Sequence, residues 1–260
     1  MIWMSRVAGF SIAAIIGLLF STISVAIANA AEIKVLASVA LAAAINELKP
    51  QFERTTGNTV SVSYSIVAEI RKRVLEGETA DVIVVSRPVM DELQTHAKVA
   101  RGTITDVAGI AAAVTVRAGS PKPDISSPEA LKRSLLAARS IVYTDPARGG
   151  LSGVHFARVL DRLGIAEQMK PKTILVPADE SAAVVSKGEA EIGVAQASEI
   201  VPVAGAQLVG PLPGELGLVT VFSAGAGEGS KVQEAARSLI QFITGPASAP
   251  VLKSKGMEPR

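Results

Sequence analysis

Apolar residues follow two alternating rhythms along this chain. Ile33 to Ala37 is a short apolar run of strand length. It is followed by Leu41, Ala44, Ile45, Leu48 and Phe52, whose spacing of three and four residues places them on one face of a helix ending before Gly57. Val60-Ser61-Val62-Ser63-Tyr64 then alternates as a half-buried strand does. The spacing predicts a second helix over about Ala68 to Leu75, with Arg71, Lys72 and Arg73 on its solvated face and Gly77 as its stop. Ala80-Asp81-Val82-Ile83-Val84-Val85 is an apolar run of the kind found in strands buried on both faces. Ser86-Arg87-Pro88 has the form of a helix start, with proline near the first helical position.

A second series begins after Gly109 to Val116, an apolar stretch closed by the breaker-rich Gly119-Ser120-Pro121-Lys122-Pro123. It runs as strand Ser140 to Tyr143, helix Ser152 to Leu163, strand Thr173 to Val176, helix Glu180 to Lys187 and strand Ile192 to Ala195. Leu218 to Phe222 reads as a further strand and Lys231 to Ile243 as a helix, while the Pro/Gly-rich run from Gly205 to Gly217 reads as a surface loop. Strands alternating with helices argue for an α/β fold with largely parallel sheets. Two such units of similar size, with the chain returning late, imply two Rossmann-like lobes and a cleft between them. No sequence repeat is visible.

The start of the chain changes this picture only by removal. Arg6, the apolar run through Phe10, Ile12, Ile15, Ile16, Leu18, Leu19 and Phe20, and Ala28-Asn29-Ala30 before Ala31 read as an export signal over residues 1–30, cleaved after Ala30. Val7 to Ala28 is also about long enough to be an uncleaved anchor, but Ser11, Ser21, Thr22 and Ser24 dilute it and the small-residue end favours cleavage. The formal net charge of +2 falls by one when Arg6 leaves with the signal. No cluster of Lys and Arg with interleaved aromatics suggests nucleic acid as a partner. Without cysteine, and with His96 and His155 the two histidines, neither a thiolate nor a His-rich metal site is expected.

Several segments, in order, resemble the molybdate-binding branch of the periplasmic solute-binding proteins of ABC transporters. They are Val35-Leu36-Ala37-Ser38 before an Ala/Leu-rich helix, Thr79 to Ser86, Lys187 to Val194, Phe242-Ile243-Thr244-Gly245-Pro246 and Lys255-Gly256-Met257-Glu258-Pro259. The resemblance spans nearly the whole chain after residue 30. It implies two α/β lobes joined by a hinge of two crossing strands, here near Ala113 to Arg117 and Leu218 to Phe222. The lobes would be residues 31–113 with 219–260, and 114–218. It further implies a monomeric periplasmic protein without cofactor or catalytic activity, which hands a small anion to a membrane permease. The physics needs no family: helix N-termini present unpaired N–H donors and partial positive charge, so several converging can hold a dianion.

Carried over position by position, the resemblance places Ser38 after the first strand, Ser65 in the turn before the second helix, Ser152 and Gly153 at a helix start, and Ala178 as a backbone donor. Two features depart from it. Ile66 and Val67 are apolar where hydroxyls belong, and Gln196 stands in place of a tyrosine. Arg148 offers an explanation, because a guanidinium beside a helix N-terminus grips a carboxylate bidentately and so suits a small organic acid better than molybdate. Each residue also has a plain structural reading. Ser38 and Ser152 serve as N-caps, Arg148 as a solvated loop residue, His155 as a half-buried structural histidine and Gln196 as a cap. Asp179-Glu180 reads as favourable charge at a helix start, although it would repel an anion. A hydrolase is disfavoured because Gly150-Leu151-Ser152-Gly153-Val154 lacks the final glycine of a nucleophile elbow. The remaining rivals are a ligand-sensing domain of a regulator and a scaffold without ligand.

Overall fold

The computed structural model describes residues 30–178 and 180–260. The expected export signal, apart from Ala30, lies outside the described residues, as does Asp179 of the acidic pair. The first half runs β1 (Glu32–Ser38), α1 (Ala42–Thr56), β2 (Thr59–Ser65), α2 (Val67–Leu75), β3 (Val82–Ser86) and α3 (Arg87–Thr95). Next come β4 (Thr105–Arg117), α4 (Pro128–Ala137), β5 (Ile141–Thr144), α5 (Leu151–Arg162), α6 (Ala166–Met169), β6 (Thr173–Val176), α7 (Ser181–Lys187), β7 (Ile192–Gln196) and α8 (Ala197–Ile200). The chain closes with β8 (Ala206–Pro211), β9 (Val219–Ala226), α9 (Gln233–Thr244), α10 (Ala249–Ser254) and β10 (Glu258–Pro259).

The periodicity explains most of these elements. Helix α1 buries Ala44, Ile45, Leu48 and Phe52, and Gly57 ends it in the left-handed region at φ 74°. Pro50 sits inside α1 on its exposed side, so the Asn46 carbonyl that loses its helical donor meets water. All of β3 is buried, as an interior parallel strand requires.

Strand pairing creates two lobes of one design. In the first, parallel β2-β1-β3 is followed by antiparallel β9 and then β4; in the second, parallel β6-β5-β7 is followed by antiparallel β4 and then β8. The repeat absent from the sequence is thus present in the topology. Strand β4 belongs to both lobes. Thr105 to Ala111 pair with β9, and from Ala112 onward the partners are β7 and β8. Ala112 marks the change: its N–H donates to the Leu218 carbonyl at 2.9 Å and its own carbonyl accepts from Leu212 at 3.0 Å. This lies just before the crossing expected at Ala113 to Arg117, and the chain returns to the first sheet at Val219, which pairs with Ala111.

The run from Gly205 to Gly217 is not wholly loop, because residues 206–211 form β8 on the edge of the second sheet. Its backbone bonds come from β4, and an edge position tolerates the terminal Pro211. Phe52 and Phe242 meet in the core of the first lobe at 5.5 Å, Tyr143 and Phe156 edge-to-face in the second at 5.1 Å. Helix α8 hangs from β7 yet packs on the Val39–Leu41 turn of the first lobe. No helix among the described residues is long and apolar enough to cross a membrane.

Candidate functional site

In an open α/β sheet, ligands bind beyond the carboxyl ends of the parallel strands, where the following helices begin. Here those ends face each other across the gap between the lobes. Ser38 closes β1 and its Oγ accepts from the Ala40 N–H at 3.4 Å, capping the turn that leads into α1. Across the gap Gly150, not Ser152, holds the capping position of α5. The first helical bond runs from the Val154 N–H to the Gly150 carbonyl, so the amides of Leu151, Ser152 and Gly153 precede it and carry the positive end of the helix dipole.

A cavity of about 20 Å³ lies between these tips, room for one or two water molecules. A larger guest requires that space to widen. Ser38, Ser152, Ala178 and Gln196 line it, joined by Thr144, Ile66, Val67, Phe222 and Glu199. Thr144 Oγ1 donates to the Ala178 carbonyl at 2.6 Å, which fixes that peptide. Gln196 is 2% exposed. Its Nε2 lies 3.4 Å from Thr220 Oγ1, and its side chain accepts from the Glu199 N–H as one half of a capping box. Glu199 Oε2 accepts from the Gln196 N–H at 3.2 Å, holding a carboxylate at the edge of the same space.

Ser65 and Arg148 stand farther out, lining a mouth that also holds Tyr64, Glu69 and Pro177. Arg148 is exposed and, among the described residues, forms no ion pair. At Gly153 a β-carbon would fall 2.0 Å from the Thr144 carbonyl oxygen, so its bareness seats α5 on β5. His155 Nε2 donates to the Leu216 carbonyl at 2.8 Å, a structural bond.

Sequence reasoning passed over Thr144, Phe222 and Glu199. Thr144 ends its strand much as Ser38 does, and an acid three residues after Gln196 has the spacing of a capping box, so both left a signal; Phe222 left none. Among the described residues no group of His, Asp and Glu side chains is arranged to hold a metal.

At the mouth, Tyr64 donates its hydroxyl to Asn46 Oδ1 at 2.8 Å, and burial pushes its pKa from 10.0 up to about 12. Tyr143 is raised by burial first, then by Asp145 and Asp161. The unfolded chain releases these protons near pH 10 and the folded one holds them. This contribution to stability is therefore intact below pH 10 and lost as pH climbs from there toward 12. Since the two are the only tyrosines, absorbance titration of the folded protein is expected to show little tyrosinate at pH 10; a half-complete transition there contradicts this environment.

The sequence profile of the bacterial extracellular solute-binding proteins matches residues 33–258. The chain is similar to an aconitate isomerase of Pseudomonas sp, 32% identical over 248 residues that make up 93% of each chain. It is also similar to the molybdate-binding protein ModA of Escherichia coli strain K12, 22% identical over 259 residues, 98% of this chain and 97% of that one. Among solved structures, the periplasmic molybdate-binding protein of Azotobacter vinelandii superposes with a TM-score of 0.70 at 18% identity, over 86% of this chain and 98% of the other, which shows a shared fold. Matching profile and shared architecture agree: the chain belongs to the bacterial extracellular solute-binding protein family.

Proposed function

We propose that this protein binds a small unsaturated polycarboxylate of the aconitate class in the interlobe cleft and interconverts its double-bond isomers. Arg148 carries the reading. An exposed guanidinium without an ion-pair partner borders the mouth, which adjoins a cavity lined by Ser38 and the tip of α5. One carboxylate can then be gripped bidentately outside while another meets neutral donors within. A tetrahedral oxyanion would leave the arginine idle. The similarity to an aconitate isomerase over 93% of each chain supports the same choice. The protein works as a periplasmic monomer, exported by the signal in residues 1–30.

A second reading keeps the cleft as a receptor that delivers molybdate, or the same organic acid, to an ABC permease. The neutral hydroxyls of Ser38 and Ser152 beside free helix amides favour it. Thermal melting with cis-aconitate, trans-aconitate, citrate, molybdate, tungstate and sulfate separates the ligands. A hundredfold excess over the dissociation constant adds about 2.7 kcal/mol of stability. The aconitates are expected to raise the melting temperature and the oxyanions to leave it unchanged. Arg148→Ala should weaken aconitate by about tenfold or more, and Arg148→Lys should recover only part of that, since an ammonium lacks the planar fork. A shift with molybdate alone refutes the carboxylate reading. Proton NMR of cis-aconitate with the protein, watching for the vinyl signal of the trans isomer, tests turnover.

A further inference from the structure

We infer that Glu199 is the catalytic base that moves the proton during this isomerisation, an assignment that rests on the reading above. An aconitate carries a methylene next to its double bond. Removing one methylene proton breaks that C–H bond, and the electron pair spreads over the three-carbon allyl unit and onto a carboxylate. Returning a proton to the far carbon forms the new C–H bond and shifts the double bond by one carbon. The geometry of the product is set by the conformer the cavity holds. No atom is gained or lost overall and nothing is oxidised, so the chemistry needs a base, a way to hold the developing charge and no other reactant.

Among the described residues lining the cavity, Glu199 is the one with an ionisable side chain suited to that work. The other ionisable groups nearby lie outside this cavity. His155 lines a neighbouring groove and donates to Leu216. Tyr64 lies at the mouth, bonded to Asn46. Glu69 also lies at the mouth, outside the enclosed space. Glu199 is held by the Gln196 N–H at 3.2 Å in the first turn of α8, so its carboxylate is placed rather than swinging free.

Gln196, 2% exposed in the same cavity, closes a reciprocal capping box with Glu199, which fixes the carboxylate at the start of α8. The charge driven onto the substrate carboxylate meets Ser38 and the first-turn amides of α5, donors in place before the reaction begins.

The test uses the whole exported protein, cis-aconitate as the probe and the variant Glu199→Gln, whose amide oxygen can still accept from the Gln196 N–H. Stabilisation by cis-aconitate is expected to survive in the variant. Its isomerisation rate should fall by about a hundredfold or more, and deuterium uptake from heavy water into the methylene and vinyl positions should fall with it. Glu199→Asp, which draws the carboxylate back by one carbon, should fall between the two. A Glu199→Gln protein that turns over or exchanges like the wild type overturns the assignment and leaves the ligand reading standing. Loss of both binding and turnover in the variant also overturns it, by making Glu199 a structural or binding group. A wild-type protein stabilised by aconitate but unable to exchange its protons refutes the isomerisation and Glu199 together. A wild type that no carboxylate stabilises refutes the ligand reading itself.

Discussion

Alanine in place of Gly153 is expected to destabilise the protein by about 3 kcal/mol or more and to abolish stabilisation by ligand. The added carbon would meet the Thr144 carbonyl oxygen at 2.0 Å and its carbon at 2.8 Å. Those are backbone atoms of β5, held in register with β6 and unable to rotate aside. Helix α5 would have to lift, and with it the amides of Leu151 and Ser152 that face the cavity. A melting temperature lower by roughly 10 °C follows for a chain of this size. Gly229→Ala, where nothing lies within 4 Å of the new carbon, should stay within about 0.5 kcal/mol of the parent. A Gly153→Ala protein that melts with the parent and still responds to aconitate would refute this seat for α5.

Phe222→Ala is the second large effect. The ring is 1% exposed on β9, paired with Ser86 on one side and Ala108 on the other, and it also forms part of the cavity wall. Truncating a buried phenylalanine costs about 3–5 kcal/mol through lost transfer energy and the void left behind. The low end is expected here, because the void opens onto Ser38 and Gln196, whose polar groups let water enter and fill part of it. The same enlargement loosens the fit around a guest, so aconitate should bind more weakly while Phe222→Leu loses less of both. Urea unfolding reads the first effect and ligand-induced melting the second. A midpoint unchanged in urea would show that the ring contributes no packing.

Elements with a one-sided apolar rhythm, such as α1 and β2, were legible in the sequence because burial on one face dictates residue choice at fixed intervals. Strand β3 was legible for the opposite reason, since burial on both faces leaves a solid apolar run. Strand β8 was hidden. As an edge strand among prolines and glycines it has no fully buried face to impose a pattern, and its pairing partner lies some ninety residues away in sequence. Helix α8 is only four residues long and shows no period at all. Within the site, Ser38, Ser152 and Gln196 were findable because each marks a strand-to-helix junction. Glu199 left the capping-box spacing to Gln196 as its signal, but that spacing marks a helix start and not a cavity wall. The separation of Ser65 and Arg148 from the inner cavity depends on how the lobes close, which no local pattern encodes.

Strand β4 lends its first half to one sheet and its second half to the other. Neither half of the molecule is therefore self-sufficient: melting either one strips the other of a member strand, and the two share a single cooperative fate. A guest captured in the gap steadies the entire chain, so its presence should be felt as slower solvent exchange even along β2 and β6, the two ends of the strand order.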